Sequence, residues 1–396
     1  MKFDKIEDAI TQLKNGNLII VCDDANRENE GDLVILGEYA TPDKINFMLN
    51  YGRGLVCMPV SEAIAQKLGL HPMVCENTDR FSTAFTVSID HVSCTTGISA
   101  IERSNTVLAV TKNNATARDF RKPGHIFPLI AKNNGVLERV GHTEASIDLA
   151  RLCGTTDVAV ICEILNDNGE TAKYDDLVSL AKTHNLAMIH IADLVEYRKQ
   201  HDKLITREVS ANLPTQFGDF EILGYSSTLD HKEHVAIIKG LDCNDKSPLV
   251  RIHSSCLTGD IFHSKRCDCG EQLEKSLIEI EKAGCGVLIY LNQEGRDIGL
   301  INKLKAYKLQ QQNIDTVEAN HQLGFATDLR EYVVAAQILH DLNISKIRLI
   351  TNNPDKIQSL ENYGIEIVER IYIPSTIYPE NERYIQTKKI KMGHLV

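Results

Sequence analysis

The sequence predicts an α+β or α/β chain: two mixed α/β domains in tandem. Three observations carry this. The chain has 396 residues, which suits two domains of ordinary size. Short apolar runs of strand length alternate with helical stripes: LIIVC (18–22), VAVICEIL (158–165), GCGVLIYL (284–291) and KIRLIT (346–351). Between the second and third runs lies EYRKQHDKLITREVSANLPTQFGDF (196–220), which mixes charges with few core residues. The junction is expected near residues 199–205, giving domains 1–200 and 201–396. No Gly/Ser linker and no internal repeat is visible.

Composition bounds the function. With 43% apolar and 24% charged residues the chain reads as globular. A formal net charge of −11 argues against a nucleic-acid-coating protein, so anionic ligands must be met by local basic clusters. No stretch approaches eighteen apolar residues, and MKFDKIEDAITQLKNG has no apolar signal core, so no membrane span or secretion is expected. Eleven Cys then suggest a reducing compartment, with most thiols as small core residues and a cytoplasmic location.

In the first domain, Ile6, Ala9, Ile10 and Leu13 sit at helical spacing, with Gly16 as the stop. LIIVC follows as a buried strand and runs into DDANRENEGDL. Most such charge runs are solvated turns. Here Arg27 and Asp32 flank Glu28 and Glu30, and carboxylates at a strand end can hold Mg²⁺ while an Arg holds phosphate. DHVSCTTGISAIERSNTV is rich in hydroxyls and carries Arg103; RKPGHIFPL holds His125. RVGHTEASIDLARL places His142 at a helix start, where Arg139, Gly141, His142 and Thr143 can seat a phosphate. Glu163 lies in the next strand.

In the second domain, Cys256, Cys267 and Cys269 fall inside fourteen positions, spaced C-x10-C-x-C. Three thiols this close read as a metal site. A structural zinc site takes four protein ligands and a catalytic one three, so His263 or a distant Cys as fourth ligand is the competing structural reading. GCGVLIYL runs as a strand into NQEGRDIGL, where Gly295 allows close backbone approach and Arg296 can meet phosphate. NKLKAYKLQ, with Tyr307, is a helix. Leu329, Val333, Ala336 and Leu339 form a core stripe, with Asp328 and Arg330 in the first turn of that helix. Thr351 and Lys356 bracket Pro354 at another helix start, where an anion can bind.

The motifs NRENEGDL, TTGISA, PGHIFPL and GHTEA, in that order, resemble 3,4-dihydroxy-2-butanone-4-phosphate synthase over about residues 5–200. The resemblance implies conversion of D-ribulose 5-phosphate to the butanone phosphate and formate with Mg²⁺ or Mn²⁺. It makes Glu28 and His142 metal ligands. It assigns Arg27, Glu28, Asp32, Arg139, Val140, Gly141, His142, Thr143 and Glu163 to the sugar phosphate, and puts His125 and Glu163 at the reacting carbons. One departure stands out: that family carries a further acid in the loop, where this chain has Ala25 and Asn26. Slower proton transfer is therefore expected, and a weakened first domain is the rival reading.

RIHSSCLTGD, RCDCG, EGRDIGL, DTVEANHQLGF, TNNPDK and TKKIKMGH resemble GTP cyclohydrolase II over roughly residues 205–396, with Ile314 where an aromatic is usual. That resemblance implies zinc on Cys256, Cys267 and Cys269, without His263. It assigns Arg251, Ile252, His253, Ser254, Ser255, Gln272, Glu294, Gly295, Arg296, Thr316, Thr351 and Lys356 to GTP. Asp328 becomes a proton acceptor and Arg330 a nucleophile. The pairing matches a known bifunctional arrangement in riboflavin biosynthesis. The partners it implies are the two small-molecule substrates and a second copy of the chain in a homodimer.

Overall fold

The computed structural model describes residues 3–241, 243, 247–312, 314–393 and 395; His394 of the terminal motif lies outside them. The chain divides into two compact units, Met1–His201 and Asp202–Val396.

The first unit is built on a seven-stranded sheet. Its strands are β1 (Ile19–Cys22), β2 (Gly31–Leu36), β3 (Cys57–Val60), β4 (Ile89–His91), β5 (Phe120–Ile130), β6 (Ala159–Glu163) and β7 (Met188–His190), in the order β4-β5-β3-β6-β2-β1-β7. Strands β1 and β2 are buried throughout: β1 as its unbroken apolar run requires, and β2 with Asp32 buried among its apolar residues. Period-two alternation sends their side chains into two cores. Ile20, Cys22, Leu33 and Ile35 pack with Val107 and Leu177. Ile19, Val21, Val34 and Leu36 pack with Ile6, Leu13, Ala145 and Leu149. Helices therefore cover both faces. The N-terminal helix Ile6–Lys14 ends before Gly16, whose φ of 72° is a left-handed stop.

The second unit has strands β8 (Ile205–Thr215), β9 (Gly218–Ser227), β10 (Glu233–Lys239), β11 (Leu249–Ser254), β12 (Gly286–Leu291), β13 (Lys346–Ile350) and β14 (Glu366–Ile371), in the order β14-β13-β11-β12-β10-β9-β8. β11 is parallel to both β12 and β13. The chain leaves β11 for β12 on one side, then returns to β13 on the other. Such a reversal opens a crevice at the carboxyl ends of the strands.

Two expectations change. The segment read as junction contains a full strand: β8 lies at the sheet edge with most side chains exposed, so it shows no apolar alternation. The helix carrying Val333 begins at Val333 itself. Asp328 and Arg330 therefore precede it and are not in its first turn; the Asp328 carboxylate accepts the Arg330 N–H at 3.1 Å, an Asx turn that competes with helix, and Leu329 is exposed. Cys243 and Cys285 are joined by a disulfide, and the other nine cysteines are free. No helix among the described residues is long and apolar enough to cross a membrane.

Candidate active sites

In the first unit the loop between β1 and β2 folds back on itself. Asp23, fully buried at its side chain, accepts the backbone N–H of Glu28 at 3.1 Å and of Glu30 at 2.9 Å. Arg27 bridges Asp23 at 2.8 Å and Glu28 at 2.6 Å. Across from this loop the helix His142–Cys153 begins, and His142 Nδ1 lies 3.5 Å from Glu28. Asp23, Glu28 and His142 bring ligand atoms within 4.8 Å of one another. Two carboxylates and an imidazole suit a hard divalent cation. Sequence reasoning missed Asp23 as part of this cluster; its position directly after a fully buried strand was the available signal.

Asp32 and Glu163 face each other across β2 and β6. Asp32 Oδ1 and His142 Nε2 are 4.0 Å apart, and both are buried without a hydrogen-bond partner. Burial, with Glu163, Glu28 and Glu30 nearby, raises the Asp32 carboxyl to about 7 against the pull of His142. Burial lowers His142, but Asp32, Glu28 and Asp23 outweigh it and lift the imidazole to about 9. Glu163 accepts the Leu55 N–H at 2.8 Å, and Gly54 leaves it room: a Cβ there would sit 2.5 Å from its Oε2.

His125, on β5, pairs through Nδ1 with Asp90 at 2.7 Å. The hydroxyl loop closes over the pair at Gly97, where φ is 86° and a Cβ would lie 2.0 Å from the Asp90 carboxylate. Arg139 binds Glu144, Thr83 and the Phe81 carbonyl, while Gly141 lets its guanidinium approach the helix start. Thr143 is buried and Val140 exposed. Ala25 and Asn26 lie on an exposed turn, with Asn26 bonded to Asp24.

In the second unit the three thiols converge beyond the end of β11. Cys256 and Cys267 sulfurs are 3.7 Å apart. Gly259 makes the close approach possible: a Cβ would meet Cys267 Sγ at 3.0 Å and Cys256 Sγ at 3.1 Å. His263 is exposed and faces Glu274; among the described residues the metal-ligand group is three cysteines. A soft all-sulfur donor set fits zinc.

A cavity opens beside them, lined by Arg251, His253, Ser254, Ser255, Gln272, Gly295, Arg296, Thr316, Arg330, Thr351 and Lys356 of the predicted set. Three predicted residues, Ile252, Glu294 and Asp328, stand back from it. Ile252 is fully buried and offers its carbonyl to Lys356 Nζ at 2.8 Å. Glu294 is held by Lys303 at 2.7 Å and by the Leu257 N–H at 2.6 Å. Asp328 chelates the Arg330 guanidinium. Burial raises the Asp328 carboxyl, but Arg330 outweighs it and holds it below the usual range. Arg330 is correspondingly kept protonated. Burial, Arg251 and Arg330 push Lys356 well below an ordinary lysine. Arg251 Nε is buried without a partner. A polyanion would relieve cations crowded this way, even in a chain of net charge −11.

The C-terminal helix Glu382–Lys391 adds Tyr384 and Lys388 to the lining, which sequence reasoning missed. Lys388 pairs at 2.6 Å with buried Asp268, between Cys267 and Cys269, and Ser375 donates to the same carboxylate at 2.7 Å. Burial raises Asp268, but Lys388 and Ser375 bring it down to about 2. A carboxyl depressed on folding stabilises above its unfolded value near 3.9 and loses that contribution as pH falls toward 2. Asp268→Asn strands Lys388, and we expect about 3–5 kcal/mol of destabilisation at pH 7, shrinking as pH falls toward 2. Urea unfolding at both pH values reads this; an equal loss at both would show that the charge pair is not the cause.

The 3,4-dihydroxy-2-butanone 4-phosphate synthase family matches residues 7–197, and the GTP cyclohydrolase II family matches residues 206–372. A riboflavin biosynthesis protein RibBA of Bacillus cytotoxicus is 56% identical over 394 residues, covering 100% of this chain and 99% of that protein. The chain belongs to the RibBA family. A RibBA of Bacillus cereus strain B4264 is 55% identical over the same span. A crystal structure of RibBX, a two-domain 3,4-dihydroxy-2-butanone 4-phosphate synthase from A. baumannii, superposes with a TM-score of 0.68 at 32% identity, covering 94% of this chain and 100% of that one. The tandem α/β expectation is thereby met. Membership over the full length makes this a bifunctional riboflavin biosynthesis enzyme, and the weakened-domain rival is not supported.

Proposed function

We propose that the synthase domain spans 1–200 and converts D-ribulose 5-phosphate to 3,4-dihydroxy-2-butanone 4-phosphate and formate. The cyclohydrolase domain spans 201–396 and hydrolyses GTP to 2,5-diamino-6-ribosylamino-4(3H)-pyrimidinone 5′-phosphate, formate and pyrophosphate. The observation that carries the reading is the placement of three thiols beside a buried cation cluster at the carboxyl ends of parallel strands.

In the first site, Glu28 and His142, with Asp23, would hold Mg²⁺ or Mn²⁺. Such an ion supplies Lewis acidity toward adjacent sugar oxygens. Arg27 and Arg139, with Gly141 and Thr143 at a helix start, hold the phosphate. His125, oriented by Asp90, and Glu163 move protons at the reacting carbons.

In the second site, Cys256, Cys267 and Cys269 would hold zinc, which supplies Lewis acidity when bound. Arg251, Lys356, Arg296 and Lys388 bind and orient the triphosphate. The Asp328–Arg330 pair faces the departing pyrophosphate. As paired, Arg330 is a protonated guanidinium and stabilises phosphate charge; acting as a nucleophile requires Asp328 to take its proton, and Asp328 is the carboxylate placed to do so. We place the enzyme in the cytoplasm as a homodimer. Formate release from GTP and from D-ribulose 5-phosphate, assayed separately on the full chain, tests the whole reading. Release from one substrate alone would reduce it to a single activity.

A further inference from the structure

Resting on the zinc reading above, we propose that Lys303 is a positioning residue for the zinc site: it is the counter-cation of the Cys256 thiolate, itself fixed by Glu294. Lys303 is 9% exposed on the helix Leu300–Gln310. Its Nζ donates to Cys256 Sγ at 3.0 Å and to Glu294 Oε1 at 2.7 Å. The other Glu294 oxygen accepts the N–H of Leu257, the residue next to Cys256, at 2.6 Å. Glu294 thus ties the lysine and the cysteine loop into one ring. Gly295 makes the approach possible, since a Cβ there would lie 3.0 Å from the Lys303 Cβ.

The chemistry asks for such a group. Three thiolates on a dication leave one net negative charge in a largely buried place, and buried charge is costly unless paired. An N–H···S bond from Lys303 offsets that charge at Cys256 and stabilises the sulfur lone pair. Outer partners of metal ligands are typically worth about 10–100-fold in affinity or activity.

The test uses the full chain and two readouts other than turnover: zinc affinity by chelator competition, and the sulfur-to-cobalt charge-transfer band of the Co²⁺-substituted protein. Lys303→Met is expected to bind zinc about 10–100-fold more weakly and to shift the band to longer wavelength, because the sulfur lone pair is no longer stabilised. Lys303→Arg should restore most of both. Parent-like affinity and band position in Lys303→Met would overturn the proposal. If Lys303→Met does not fold, Lys303→Gln and Lys303→Arg decide it: the neutral variant should lose affinity and the charged one keep it, and equal affinities would overturn it. A parent protein that holds no stoichiometric zinc would instead remove the zinc reading beneath it.

Discussion

Glu28→Ala is expected to lower formate release from D-ribulose 5-phosphate by on the order of 10³-fold, because a metal ion supplies several kcal/mol of charge stabilisation and each 1.36 kcal/mol is tenfold. Glu28 is the hinge of the first site: it touches Arg27 at 2.6 Å and His142 at 3.5 Å. Its removal deletes one ligand and frees the Arg27 guanidinium toward Asp23. GTP opening should be unchanged, since that chemistry is built from residues of the other compact unit. Formate assays on both substrates, with circular dichroism to show an intact fold, measure this. Loss of both activities in a folded protein would mean one shared site, and full retention would remove Glu28 from the metal site.

The architecture was legible where burial is complete and obscure where it is one-sided. β1 and β12 announced themselves as unbroken apolar runs, and β6 as an apolar run ending on Glu163, because their side chains are mostly buried on both faces of the sheet. β8 did not, because an edge strand keeps polar side chains in solvent along most of its length. At the sites, cysteine spacing pointed to the sulfur cluster, whereas the Glu28–His142 pair came only from the resemblance of NRENEGDL and GHTEA to the synthase family, because a charge run by itself reads as a solvated turn. What the sequence hid were residues that arrive from far away. Lys388 lies 120 positions from Asp268, and nothing in a basic C-terminal tail says it folds back on a buried carboxylate. Asp328 and Arg330 were read as helical because an apolar stripe runs through Leu329; only the carboxylate's bond to the Arg330 N–H shows why the helix waits for Val333.

Cys267→Ser should remove zinc and GTP turnover together while butanone phosphate formation survives. The serine oxygen is smaller and harder than sulfur and stays protonated near neutral pH, so the site loses one of three anionic ligands. Two thiols remain, and among the described residues no fourth cysteine joins the group to substitute. The synthase site is insulated by donor chemistry: two carboxylates and an imidazole need no thiolate. We expect zinc content to fall from one per chain to a trace, GTP turnover to fall by at least about 10³-fold, and formate release from D-ribulose 5-phosphate to stay within about twofold of the parent, since the two ligand groups share no residue and changes at sites without shared partners act independently. Elemental analysis beside the two formate assays reads all three. Retained GTP opening in zinc-free protein would show that the thiols serve the fold and not the reaction.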